Sequence, residues 1–396
     1  MKPVLLIECG AAETIGALTL AGEIVKLFFA PARGDELAPR APGHGDIVLG
    51  RIKKSAPALG GAFVDIGSNE EAFLPAKSGA ALHEGASAIF RVVRPALGGK
   101  GAILDADWRN ALPEALAAAL AKTEGAPRLL SLGADSAVMI AVWAQPFGSA
   151  SIVVNRAETK AALAASGISS VVDEGVGDAP DIEEAIAQSL ELEAPIGDGA
   201  HMGFAETAGG VVVDIDAGGA SNAARKPNDR VNERAAQRLF RELSRRSVGG
   251  RVFVDFLPPS SAAARQRLLG ALRSQDIAIY ERRLGKLAPD GVLDLTAPRR
   301  DLSMLERATE WFGDEAIVAG RRLTLDWTAK RAVAAIEGRL RRQPRQRIRL
   351  DAGDDLLEYL EQKQQWRTRL IDRYGARLEF RRQQRLPPRR FDVAEN

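Results

Sequence analysis

Two short segments constrain the fold of this chain more than any other feature. Each opens on a glycine pair, alternates as a strand does, reaches an aspartate and then breaks: GGVVVDIDAGGASN at 209–222 and GGRVFVDFLPP at 249–259. Residues two apart on a strand share a face, so Asp214 and Asp216 point the same way, opposite Val213 and Ile215. Between the two segments, NDRVNERAAQRLFRELSRRSVGG sets Val231, Ala235, Leu239 and Leu243 at helical spacing. Its last turn is rich in arginine, as the helix dipole favours, and Gly249 is its expected stop. Strand, helix, strand predicts parallel neighbours joined by a right-handed crossover. Asp214, Asp216 and Asp255 then gather at the carboxyl edge of a sheet, where open α/β folds bind ligands.

Carboxylates so placed repel one another, and a divalent cation removes the conflict. Mg²⁺ takes one or two carboxylates and keeps several waters; such waters can act as nucleophiles while the ion offsets charge on a phosphoryl oxygen. The other reading is structural, since aspartates also end strands as turn formers or helix caps. The pattern by itself names no reaction.

The chemistry open to the chain is narrowed by what it lacks. Cys9 is the only cysteine, and His44, His83 and His201 are the only histidines. No internal disulfide, CxxC clip or HExxH helix can be drawn, so any metal is expected to be hard and oxygen-bound, Mg²⁺ or Mn²⁺, with no zinc. The apolar runs are too short to span a bilayer, and the start, MKPVLLIECG, lacks the apolar stretch of a signal peptide, which points to a cytoplasmic protein without a membrane partner. The net charge of +2 hides an asymmetry: residues 321–396 hold 20 basic and 11 acidic side chains, whereas the first 320 hold 34 and 41. A basic C-terminal part suits a polyanionic partner, usually nucleic acid, although a solvated basic face has the same composition.

Along the chain, VLLIEC, GALTLAG and EIVKLFFA read as short strands, and 31–46 as a turn-rich linker. From Asp46 to about Asp105, short strands between closely spaced glycines predict a small antiparallel barrel. ALPEALAAALAKT, AETKAALAASG, DIEEAIAQSLEL and SSAAARQRLLGALRSQD read as helices. LLSLG, SAVMIAVWA and SIVVN read as buried strands. The last part reads as LTLDW, a long basic helix, RIRLDA, the helix DDLLEYLEQKQQ, then ARLEFRR, a compact α/β module.

The aspartate segments with their helix, FAETAGGVVVDIDAG followed by NDRVNERAAQRLFRELSRRSVGGRVFVDF, resemble the catalytic core of the ribonuclease E/G family. GDIVLGRIKKSAPALGGAFVDIGSNEEAFLPA, with GGKGAIL as closing strand, resembles that family's S1 RNA-binding domain, an OB-fold, and LTLDWTAKRAVAAIE opens a resemblance to its small C-terminal domain. The resemblance implies an α/β fold: a ribonuclease-H-like core, 1–36 and 106–197, with an S1 barrel inserted at 37–105. A catalytic metal-binding α/β subdomain at 198–308, a linker at 309–322 and a small basic α/β domain at 323–396 follow. It also implies an endoribonuclease for single-stranded RNA with Mg²⁺ as cofactor. Asp214 and Asp255 fall on the metal-binding aspartates, and Asp216 on an asparagine that assists catalysis. Phe63 and Phe73 fall on aromatics that stack on bases, and Lys100 on a lysine near the scissile backbone; Lys53 and Lys54 are further candidates for phosphate contacts. Each has a plain alternative, a core phenylalanine, a turn lysine or a surface lysine.

The chain also departs from the family pattern. The stretch 309–322, TEWFGDEAIVAGRR, has no cysteine where the family carries a zinc link between protomers, which leaves only a homodimer formed without zinc. The stretch that senses a 5′-monophosphate is missing, so cleavage without 5′-end preference is expected. Asp216 replaces the asparagine, Gly219 stands where the family has an arginine, and APDGVLDL around Gly291 lacks another. Lost arginines weaken the hold on a phosphate or its transition state; Arg225, Lys226 and Arg283 are candidate replacements. The leading expectation is a Mg²⁺-dependent endoribonuclease acting in RNA processing or decay. Its alternative is a catalytically weak or inactive RNA-binding member of the family, and a third reading is a metal-dependent DNA nuclease or phosphatase on the same carboxylates.

Overall fold

Alternation and glycine turns produce strands over most of the first hundred residues. The computed structural model describes residues 2–32, 42–76, 83–97, 100–130, 137–148, 150–173, 175, 181–207, 209–219, 227–312 and 320–395. The chain begins with β1 (Val4–Cys9), β2 (Glu13–Leu20), β3 (Glu23–Pro31), β4 (Ile47–Ala56), β5 (Gly61–Asp65), β6 (Ala72–Pro75), β7 (Ser87–Arg94) and β8 (Ile103–Asp105). It continues with α1 (Glu114–Ala121), β9 (Arg128–Leu129), α2 (Ala137–Ala144), β10 (Ser151–Val154), α3 (Ala157–Ala165), β11 (Val171–Val172) and α4 (Asp181–Gln188). Next come β12 (Glu193–Gly197), β13 (Ala200–Thr207), β14 (Gly210–Asp216), α5 (Pro227–Arg245), β15 (Gly250–Asp255), α6 (Ala262–Ser274), β16 (Arg283–Leu287) and β17 (Val292–Ala297). The last part holds α7 (Met304–Ala308), β18 (Thr309–Phe312), β19 (Gly320–Leu323), α8 (Leu325–Arg342), β20 (Ile348–Ala352), α9 (Asp354–Gln362), α10 (Gln364–Tyr374), β21 (Leu378–Arg382) and β22 (Phe391–Glu395).

The chain divides into two units: Met1–Ala21, Phe28–Pro180 and Glu306–Asn396 form one, Gly22–Leu27 and Asp181–Leu305 the other. In the first unit a sheet runs β11-β10-β1-β2-β3, with the division falling inside β3. β1 pairs parallel to β10 and antiparallel to β2. A second sheet runs β5-β6-β8-β7-β4, and β4 pairs again with β5, which closes five strands into a barrel; β9 adds to β4. Among the described residues, only β6–β8 is parallel among the barrel pairs. Val48, Ile52, Val64, Leu74, Phe90, Val92 and Leu104 fill its interior. The molecule is thus mixed α/β with an OB/S1-like barrel.

Buried charge ties distant parts of this unit together. The Glu337 carboxylate, almost fully buried on α8, accepts from the Ala11 amide at 2.7 Å and from Arg373 at 3.0 Å. Glu8 on β1 pairs with Arg341 at 3.0 Å, and Glu13 on β2 pairs with Arg331. Burial raises the pKa of Glu8 and pushes Arg331 down to about 10. The cost of burying such charges is offset only where each has a partner, so the network fixes one arrangement of β1, β2 and α8.

In the second unit the sheet runs β12-β13-β14-β15-β17-β16, and β14–β15 is its parallel pair among antiparallel neighbours. α5 and α6 cover one face. Ala235, Ala236, Leu239, Phe240 and Leu243 of α5, with Leu268 and Leu272 of α6, pack against Val211, Val213, Ile215, Val252 and Val254. The other face carries the alternate residues and is largely exposed.

Several sequence expectations need correction. SAVMIAVWA is not a strand: Ala137–Ala144 is α2. An all-apolar run has no period to read, it is buried on every side, and its alanines favour a helix. LTLDW is where the long helix begins: Thr324 caps α8 through its hydroxyl, which accepts from the Trp327 amide at 3.1 Å, and Leu325 opens the helix. α5 ends at Arg245, and the left-handed residue behind it is Ser247, not Gly249. The arginines of that terminus do more than oppose the dipole: Arg246 donates to the carbonyls of Gln188, Ser189 and Glu191, satisfying the end of α4. LLSLG lies partly outside the described residues. β22 was not anticipated. Among the described residues, no helix is long and apolar enough to cross a membrane.

Candidate active site

The parallel pairing of β14 with β15 puts Val211 opposite Val252, Val213 opposite Val254 and Asp214 opposite Asp255. In-register neighbours share a face, so both carboxylates stand on the exposed side of the sheet, at the carboxyl ends of their strands. Among the described residues, neither has a hydrogen bond or an ion pair.

Asp216 follows on the same face but is engaged otherwise. Its Oδ1 accepts from the Gly218 amide at 2.7 Å, an Asx turn that ends the strand. Its Oδ2 lies 3.9 Å from Nε2 of His201, which is also 3.9 Å from Glu193 Oε1. Gly218 has φ +49°, and a Cβ there would sit 2.0 Å from the Gly199 carbonyl oxygen, so only glycine fits this turn. The sequence reading gathers three carboxylates; the structure sets two opposite each other, and the third, two residues on along the same face, also holds a turn. Among the described residues, no group of three or more His, Cys, Asp or Glu is placed to hold a metal ion.

Sequence reasoning missed the residues that hold the loop beyond Asp255. Asn232, 2 % exposed on α5, donates to the Leu257 carbonyl at 2.7 Å and accepts from the Leu257 amide at 3.1 Å. Asp229 accepts from the Ser260 amide at 2.9 Å and from its hydroxyl at 2.5 Å. The helical phase of NDRVNERAA was the available signal, because Asn232 sits one residue beyond buried Val231, toward the strand end. The antiparallel register of β13 and β14, with Thr207 opposite Gly210, places His201 opposite Asp216. Of the candidate replacement cations, Arg225 and Lys226 lie outside the described residues. Arg283 shares the row of Arg251 through Thr296, two strands across from Asp255 and four residues, roughly 13 Å, up the strand direction.

In the barrel, Phe63 and Phe73 are direct cross-strand partners, half-buried and outside the core, with ring centroids 5.6 Å apart and planes at 69°. Lys54 pairs opposite Phe63, whereas Lys53 occupies the bulge beside it. Lys53 donates to Glu71 at 2.8 Å, and that hydrogen bond raises its pKa. Lys100 is exposed where the strand turns back, its amide and carbonyl bonded to Leu97.

The model of the ribonuclease E/G family matches residues 152–278, the span from β10 to beyond α6 that contains both aspartate strands and their crossover helix. Over this span, about a third of its length, the chain is similar to that family. The family's description is that of a ribonuclease, an enzyme acting on RNA. No curated protein matches the chain. The matched span also contains Asp216, its neighbour His201, and Gly219.

Proposed function

We propose that this protein is a ribonuclease E/G-type, Mg²⁺-dependent endoribonuclease that cleaves single-stranded RNA in processing or decay. The observation that carries the reading is the in-register pair Asp214–Asp255, exposed and without protein partners among the described residues. Two such carboxylates suit Mg²⁺, which prefers oxygen ligands and takes one or two carboxylates. Asp214 and Asp255 would hold it, and when bound it supplies Lewis acidity toward a phosphoryl oxygen and a more acidic water. Around them, Asp216 sets the turn that ends β14, while Asn232 and Asp229 hold the loop after Asp255. Phe63 and Phe73 offer stacking surface to bases, at about 1–3 kcal/mol per base, with Lys54 and Lys100 meeting phosphates as point charges. Lys53 joins them by exchanging Glu71 for phosphate.

The sheet order β11-β10-β1-β2-β3 supports reading 1–36 and 106–197 as a ribonuclease-H-like subdomain around the barrel, with the catalytic subdomain at 198–308 and the small domain at 323–396. We further propose a cytoplasmic enzyme, cleavage without preference for a 5′-monophosphate and, if it pairs, a dimer without zinc.

The test is incubation of a labelled single-stranded RNA with and without Mg²⁺, beside the D214N/D255N double variant. Cleavage that needs Mg²⁺ and disappears in the variant is the expected result; residual cleavage unchanged in the variant overturns the reading. Competition with single-stranded DNA separates RNA from DNA as substrate. A second reading, an RNA-binding member with little turnover, draws on the engagement of Asp216 in its turn and on Gly219 in place of an arginine. It predicts RNA binding without Mg²⁺-dependent cleavage.

A further inference from the structure

The β18–β19 ribbon is a two-stranded sheet that pairs Thr309 with Leu323, Glu310 with Arg322, Trp311 with Arg321 and Phe312 with Gly320. Trp311 and Phe312 are adjacent, so their side chains leave opposite faces of the ribbon. They are 67 % and 55 % exposed, high values for large aromatic residues. Each ring has a guanidinium over it, Arg321 at 4.7 Å from the centroid of Trp311 and Arg322 at 4.7 Å from that of Phe312. Isolated two-stranded ribbons are marginal in water, and this one is anchored. Arg389 donates to Glu310 at 2.7 Å and to the Leu323 carbonyl at 3.0 Å, while Arg322 donates to Glu310 at 2.8 Å. Arg321 is steadied by a 3.0 Å bond to the Thr309 hydroxyl.

We propose that this ribbon is a second grip on single-stranded RNA, with bases stacking on Trp311 and Phe312 and the backbone drawn to Arg321 and Arg322. The proposal rests on the RNA reading above and adds a site to it. Exposed aromatics interleaved with cations bind single strands with little base preference, because every base has a π-face and every linkage a negative charge. A single guanidinium leaves much of each ring open, as the exposures show. The charge argues against a second copy of the chain as occupant: an isologous contact would press Arg321 and Arg322 of one copy toward those of the other, whereas a polyanion relieves them. The described strands carry one carboxylate, Glu310, and it is held by two arginines. The ribbon also opens the most basic part of the chain, 20 basic against 11 acidic residues from Arg321 onward.

The experiment measures binding of a fluorescein-labelled oligouridylate to the full chain by anisotropy, in the D214N/D255N background so that the RNA stays intact. W311A/F312A is expected to weaken binding about tenfold or more, since one stacked base is worth ~1–3 kcal/mol. W311F/F312Y, which keeps both rings, is expected to restore it. If W311A/F312A binds as tightly as its parent while F63A/F73A does not, the ribbon inference is overturned and the RNA reading stands. If the parent binds no RNA, both fall. If W311A/F312A changes sedimentation mass but not RNA affinity, the ribbon is an assembly face and the proposal is wrong.

Discussion

Asp214 and Asp255 are direct cross-strand partners on the parallel strand pair at the middle of their sheet, and no described cation neutralises them. Like charges directly opposite one another destabilise a sheet by roughly 0.2–1 kcal/mol. In the absence of divalent metal, D255N is therefore expected to melt slightly higher than wild type. Adding Mg²⁺ should raise the melting temperature of wild type, as any ligand specific for the folded state does, and leave D214N/D255N unmoved. Thermal melts with and without the ion check both statements.

Asp216 separates structure from chemistry. Asparagine offers the same oxygen to the Gly218 amide, so D216N should stay within about 0.5 kcal/mol of wild type. D216A loses the turn bond and should cost about 0.5–1.5 kcal/mol. Denaturant unfolding of the two variants compares them, and RNA cleavage by D216N reports what the extra negative charge does beside the carboxylate pair.

Removing the Asn232 side chain strands two backbone groups of Leu257 in a part-buried place. N232A should lose about 1–3 kcal/mol for each group left without a partner. It should also lower cleavage more than an equally destabilising core variant such as L239A. That comparison, made well below both melting temperatures, isolates the positioning of the loop after Asp255.

Glu310 carries the pH dependence of the ribbon. Hydrogen bonds from Arg389, then from Arg322, hold its carboxyl below the usual glutamate range. A depressed folded-state pKa means stabilisation that is present above the ordinary value of about 4.5 and lost as pH falls through the folded value. The ribbon should thus loosen on acidification below pH ~4.5, and E310Q should remove that dependence. Hydrogen exchange of 309–312, corrected for intrinsic rates, reads it.

The strands and the crossover helix were legible because their residues repeat with the period of their own element. Val211, Val213 and Ile215 alternate with Val212, Asp214 and Asp216, and Val231, Ala235 and Leu239 return every turn of α5. Where periodicity vanishes, so did the reading. The uniformly apolar residues of α2 look alike to any pattern, and the capping of α8 by Thr324, which makes LTLDW a helix start, has no period to show it. The face on which Asp214 and Asp216 stand followed from local alternation alone.

Which side chains finally meet is set by contacts far apart in the chain. The Ala11 amide finds Glu337 across 326 positions, and Leu257 is held by a helix residue 25 positions earlier. The sequence by itself determined the two aspartate strands, the helix between them and the barrel, because each is encoded in spacing over a few turns or one hairpin. Only the tertiary structure decided that Asp214 faces Asp255 while Asp216 turns to Gly218 and His201. Register between strands and the choice of partner for a charge depend on packing the whole sheet, which no local pattern carries.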